Sequence, residues 1–63
     1  MTTYRCLFLN GSNRVEDASE ICAGSDHDAI GFAIAQLDMS GYVAVEIWRG
    51  GSCIAHRPRL ELV

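Results

Sequence analysis

Three places in this 63-residue chain hold side chains whose types and spacing suggest chemistry. Cys53-Ile54-Ala55-His56 sets a thiol near an imidazole, which are the usual zinc ligands and also the parts of an activated thiol nucleophile. Asp26-His27-Asp28 brings two carboxylates together, the beginning of a cation site. Arg49, Arg57 and Arg59 fall in a stretch that contains no acid, in a chain that has no lysine at all. The planar guanidinium suits bidentate contact with carboxylate or phosphate and stacks on aromatic rings, so this arginine-rich end is a candidate for meeting an anionic partner or ligand.

Spacing weakens each of these. On a strand, residues three apart point to opposite faces, so Cys53 and His56 converge only at a bulge or where the strand ends early. Calcium takes six or more oxygens, and the loop around Asp26 and Asp28 offers too few. Acids in the first turn of a helix also have a plainer use, complementing the positive end of the helix dipole, with His27 a solvated neighbour. Gly50-Gly51 joins two strands rather than a strand and a helix, so no helix N-terminus is there to hold a phosphate. The arginines also fit a solvated strand end. The sequence therefore nominates no catalytic residue, no cofactor and no metal, and the expected protein is not an enzyme.

Composition narrows the class further. Eight acids against five arginines give a net charge of −3, which opposes general affinity for nucleic acid, and the hydrophobic fraction of 49% is too high for a disordered chain. A single domain spanning 1–63 is expected, of a size that buries only about 60% of its surface on folding. Such a domain needs a staple. Cys6, Cys22 and Cys53 are odd in number with no close pair, which excludes a full disulfide framework and leaves oligomerisation as the natural support. No run approaches the ~18 apolar residues of a membrane span. The segment Thr3 to Leu9 is interrupted by Arg5 and lacks a basic lead, so it reads as a strand and not as a secretory leader. A reducing, cytoplasmic setting is expected.

The elements that would position these residues follow from pattern. Tyr4 to Leu9 is rich in aromatic and aliphatic residues and stops at Asn10-Gly11-Ser12-Asn13, a hairpin turn by residue type. Arg14 to Cys22 returns as an acid-bearing edge strand with room for a bulge. Ser25 caps a helix from about Asp26 to about Met39, whose Ala29, Ile30, Ala33, Ile34 and Leu37 recur at helical spacing before Ser40-Gly41 ends it. Tyr42 to Arg49 alternates clearly, Gly50-Gly51 turns, and Ser52 to Arg57 returns until Pro58 stops it or marks an edge. The order is ββαββ, an α+β fold with one helix packed on a four-stranded antiparallel sheet.

Tyr4-Arg5 leading an apolar strand, Ser25-Asp26-x-Asp28-Ala29-Ile30 opening a helix and Val45-Glu46-Ile47-Trp48-Arg49-Gly50 closing a strand resemble a group of short, uncharacterised bacterial proteins of about this length. The resemblance spans most of the chain and implies the same ββαββ fold, with no activity or site to transfer. The helix start is also weakly similar to antitoxin-type partial ferredoxin-like domains.

If Gly50-Gly51 is a plain two-residue turn, Arg49 pairs with Ser52, Trp48 with Cys53, Ile47 with Ile54, Glu46 with Ala55 and Val45 with His56. Val43, Val45, Ile47 and Ile54 then face the helix together with Tyr4, Cys6 and Phe8. Tyr42, Ala44, Glu46, Trp48, Cys53, Ala55, Arg57 and Arg59 lie on the far side with Leu7 and Leu9. One helix does not cover both sides. The helix itself carries a second apolar stripe, Phe32, Ala35 and Met39, opposite its core face. Two excess apolar surfaces point to a small interaction module, most simply a homodimer or otherwise a protein's partner, whose contact residues come from Trp48, Tyr42, Leu7, Leu9, Phe32, Ala35 and Met39. The alternative is a small-ligand or nucleic-acid binder that uses Trp48 and Tyr42 as an aromatic platform beside Arg57 and Arg59.

Overall fold

Asn10 to Asn13 reverse the chain as their types allow. The Asn10 side-chain oxygen accepts from the backbone N–H of Ser12 at 2.9 Å and of Arg14 at 3.2 Å, and Asn13 takes up a left-handed φ of 61°. In the computed structural model, which describes residues 1–59, this turn joins β1 (Thr2–Leu9) to β2 (Val15–Ala23). The helix α1 (Asp26–Asp38) follows, then β3 (Ala44–Arg49) and β4 (Ser52–Pro58). This is the expected ββαββ arrangement, with one helix against a four-stranded antiparallel sheet of order β2-β1-β3-β4. Since β2 and β3 both run antiparallel to β1, they are parallel to each other, and α1 bridges them as a split βαβ crossover.

Local chemistry sets the ends of the helix. The Ser25 hydroxyl, on an extended residue, accepts from the Asp28 backbone N–H at 3.2 Å, and Asp26 and Asp28 occupy the positive end of the dipole. At the other end Met39 is the C-cap, and the Ser40 hydroxyl donates to the Leu37 carbonyl at 2.8 Å.

The core lies between sheet and helix. Tyr4, Cys6, Phe8, Ala23, Val45, Ile47 and Ala55 from the sheet meet Ala29, Ala33 and Leu37 from the helix, with Ile21, Ile30, Tyr42 and Ile54 packed at its margin. The alanines on α1 let the helix approach the sheet closely. Ile34, expected within this stripe, is exposed instead: it sits about 100° from Ala33 and about 60° from Leu37, at the flank of the contact.

Both edge strands carry bulges. Phe8 pairs with Asp17 but Leu9 with Val15, which leaves Glu16 as the extra residue of the acid-rich edge strand β2, as its sequence suggested. The second bulge corrects the expected hairpin register. Arg49–Ser52 and Trp48–Cys53 pair as read, but Ile47 then pairs with Ala55, Glu46 with His56 and Val45 with Arg57. Ile54 is the extra residue and packs at the core margin beside a buried Ala55. Beyond it, every side chain of β4 is on the opposite face from the one a plain hairpin gives.

The start of β3 is corrected as well. The strand begins at Ala44 rather than Tyr42, because the Ser40 hydroxyl accepts from the Tyr42 N–H at 3.2 Å and the chain bends at Val43. Tyr42 consequently packs on the helix side against Phe8, with ring centroids 5.7 Å apart, and Val43 is exposed.

Candidate functional site

On the helix side, the start of α1 and the ends of β1 and β3 converge on one carboxylate. The buried Tyr4 donates its hydroxyl to Asp26 Oδ1 at 2.6 Å, and Arg49 donates from its guanidinium to Asp26 Oδ2. Both contacts hold the Asp26 carboxyl below its ordinary pKa, that of Tyr4 first. The same hydrogen bond, reinforced by burial and by the charge of Asp26, raises the pKa of Tyr4, and Asp26 raises that of Arg49 further. The trio ties the start of α1 to β1 and β3. The sequence alone does not reveal it. Its members lie 22 and 23 residues apart on three elements, and only the helix-cap pattern around Asp26 marks the place.

The predicted arginine cluster does not assemble. Arg49 is held at the N-terminal end of α1, whereas Arg59 donates to the Asp38 carbonyl at its C-terminal end, about 20 Å away along a thirteen-residue helix. Arg57 pairs with the buried Val45 and donates to its neighbouring His56 carbonyl. Because of the bulge at Ile54, Arg57 projects from the helix side, opposite to Trp48. Tyr42 is also on that side, where burial and then the nearby Asp17 and Glu16 raise its pKa. The platform of Trp48, Tyr42, Arg57 and Arg59 is therefore split between two faces.

The bulge has a converse effect on Cys53 and His56. Both now belong to the open face, beside Trp48 and Glu46 respectively. The Cys53 thiol is directed to the Ala55 carbonyl at 3.4 Å, and no group of three or more His, Cys, Asp or Glu side chains able to hold a metal ion forms among the described residues.

The open face of the sheet is the broadest surface left without a covering element among the described residues. Its rows run Glu20–Arg5–Trp48–Cys53 and Ala18–Leu7–Glu46–His56 across the four strands. Trp48 and Leu7 are half-buried, and the indole N–H donates to Glu46 Oε1 at 3.3 Å, which fixes the ring on the surface. Beside it lies an open hollow of about 550 Å³ lined by Thr3, Arg5, Leu7, Glu20, Trp48 and Gly50. Leu9, named with these as a contact residue, contributes little. It sits between Val15 and Ala44 in the sheet and is 5% exposed. On the helix, the outer stripe is exposed as its periodicity implied: Phe32 by 55% and Met39 by 91%, with Ala35 between them.

Compared with known proteins, the chain matches no family model, no curated protein and no solved structure. Among the described residues no helix is long and apolar enough to cross a membrane.

Proposed function

We propose that the protein is a non-enzymatic interaction module that works as a homodimer, with the open sheet face as its contact surface. One observation carries this reading: a single helix covers one face of the sheet, and the other keeps a half-buried tryptophan and leucine over a wide hollow with no described element upon it. Aromatic side chains provide large contact area at small rotamer cost, which is why they anchor interfaces. The charged residues around Trp48 suit the polar rim of such a contact. Tyr4, Asp26 and Arg49 satisfy one another, which supports a structural over a catalytic use of that cluster. The free Cys6, Cys22 and Cys53 support a reducing compartment such as the cytoplasm.

Sedimentation or light scattering across a wide concentration range tests the reading, together with thermal unfolding over the same range. The expected results are twice the monomer mass and a Tm that rises with protein concentration. Trp48→Glu should weaken association by about 2 kcal/mol or more, roughly thirtyfold, while the far-UV signal of the fold persists. A concentration-independent Tm with an unfolded Trp48→Glu variant places Trp48 in the support of the monomer and removes the proposal.

A further inference from the structure

The open face carries enough geometry to specify how two copies would meet, provided that the protein is the homodimer proposed for it. A block of 35 × 21 × 15 Å has nearly a quarter of its surface in each broad side, so the open sheet face amounts to about 1,000 Å² of the total 4282 Å². A standard interface takes about 800 Å² from each partner, which this face supplies. The outer stripe of α1, about 20 Å long and about 10 Å wide, falls far short.

Face-to-face sheets are related by a two-fold axis lying in the plane between them, and there are two simple choices. An axis perpendicular to the strands through the middle row stacks Glu46 on the partner's Glu46 and His56 on the partner's His56. Like charges brought together in a desolvated contact oppose association. An axis parallel to the strands, between β1 and β3, coincides with the middle of the β2-β1-β3-β4 order. It leaves each row in place and exchanges β1 with β3 and β2 with β4. Arg5 then meets the partner's Trp48, Leu7 meets the partner's Glu46 and Ala18 meets the partner's His56, with no like charges directly opposed.

Shape agrees with charge. The hollow beside Trp48 is lined by Thr3, Arg5 and Leu7 of β1 and Glu20 of β2, so the same axis carries the partner's Trp48 over Arg5 and toward that hollow. A guanidinium against an indole face is a favourable cation–π contact when desolvated. Arg5 also comes within one row of the partner's Glu46, giving it an acid to pair with as aligned sheets twist by about 30°. We infer that two copies pack face to face about an axis parallel to the strands, each Trp48 filling the hollow over the other's Arg5.

Native cysteines report on this arrangement. Cys22 and Cys53 stand exposed at opposite edges of the open face. The strand-parallel axis sets Cys22 of one copy above and two residues along from Cys53 of the other, about 12 Å apart between Cα atoms for sheets about 10 Å apart. A short bismaleimide added to the dilute wild-type protein should therefore give a covalent dimer whose digest contains a Cys22–Cys53 linked peptide. Arg5→Glu should weaken the dimer roughly tenfold or more, and Arg5→Glu with Glu46→Arg should recover part of the loss. A dimer by light scattering that yields no Cys22–Cys53 link between copies overturns the arrangement and leaves self-association standing. A monomer at every concentration removes both.

Discussion

On the helix side of the sheet, Cys6 faces Ile47 and Phe8 faces Val45, and all four are 5% exposed or less. One residue along on the same two strands, Arg5 faces Trp48 and Leu7 faces Glu46, and none of these four is buried. The backbone of the two rows is shared and the alternation is the same. What differs is composition: Cys6, Phe8, Val45 and Ile47 are apolar and are met by small alanines of α1, whereas on the open side Arg5 stands opposite Trp48 and Glu46 opposite Leu7. An apolar face without polar members has to be covered within its own chain, since water opposes it everywhere. A mixed face tolerates water when single and gains from a complementary surface when paired. That contrast separates the core from the open face among the described residues, whose one helix covers a single side of the sheet.

The sharpest way to break the contrast is chemical accessibility. Cys6 is completely buried, and burial raises the pKa of its thiol, while Cys22 and Cys53 lie exposed on the open side. A maleimide should modify two thiols within seconds and the third only through unfolding, slower by about a thousandfold or more for a domain stable by about 5 kcal/mol. Three equally reactive thiols would mean that the helix does not seal its side of the sheet.

Truncation is the next measure. Ile47→Ala removes a fully buried side chain and should cost about 2–5 kcal/mol, a large part of the stability of a domain this small. Leu7→Ala, half-buried on the other side of the neighbouring strand, should cost less than half of that in denaturant titrations at low protein concentration. Equal costs would show that the open side is as closely packed as the core.

Much of this partition was legible in the sequence, for identifiable reasons. Ser25 and the acids after it mark a helix start because capping is a local hydrogen-bond problem. Gly50-Gly51 marks a turn because Gly50 takes φ of 60°, a conformation that side chains resist. Tyr4, Cys6 and Phe8 on one strand and Val45 and Ile47 on another read as inward by simple alternation. The errors arose where alternation was interrupted. The bulge at Ile54 leaves no mark in residue types, since an isoleucine fits a plain strand equally well, yet it moves Ala55 and Arg57 to the other face. The bend at Val43 depends on the Ser40 hydroxyl, a side-chain contact outside any periodic pattern. The arginine patch and the Tyr4–Asp26–Arg49 trio depend on which ends of which elements meet, and that is a property of strand order.

That trio gives the contrast a pH dependence. The folded Asp26 is more acidic than it would be in the unfolded chain, so its contribution to stability is present above the unfolded value and is lost as pH falls through the folded one. Tyr4 is shifted upward, so its contribution is present below the ordinary tyrosine value and disappears as pH rises through the folded one. Tyr4→Phe should remove the alkaline limb and shrink the acid limb of the stability profile, an effect smaller than that of Ile47→Ala because the carboxylate and guanidinium are both partly exposed. Thermal melts between about pH 2 and pH 11 read both limbs. An unchanged profile would show that the trio does not hold the helix N-terminus to the sheet.

The smallest effect is expected at the outer stripe of α1, where the apolar excess is most conspicuous by eye. Phe32 and Met39 are exposed by 55% and 91%, and Ala35 lies between them. Yet single apolar residues on a surface are common, and the strip they define is too narrow to hold a partner alone. Phe32→Gln and Met39→Gln remove little contact with the core, and glutamine forms helix at least as readily as phenylalanine. Each should shift the stability of the fold by no more than about 0.5 kcal/mol and leave the concentration dependence of Tm where it was. The decisive comparison is with Trp48→Glu on the sheet. Should Phe32→Gln abolish the dependence on concentration while Trp48→Glu preserves it, the contact surface is the helix, and the open sheet face is a mixed surface turned to water.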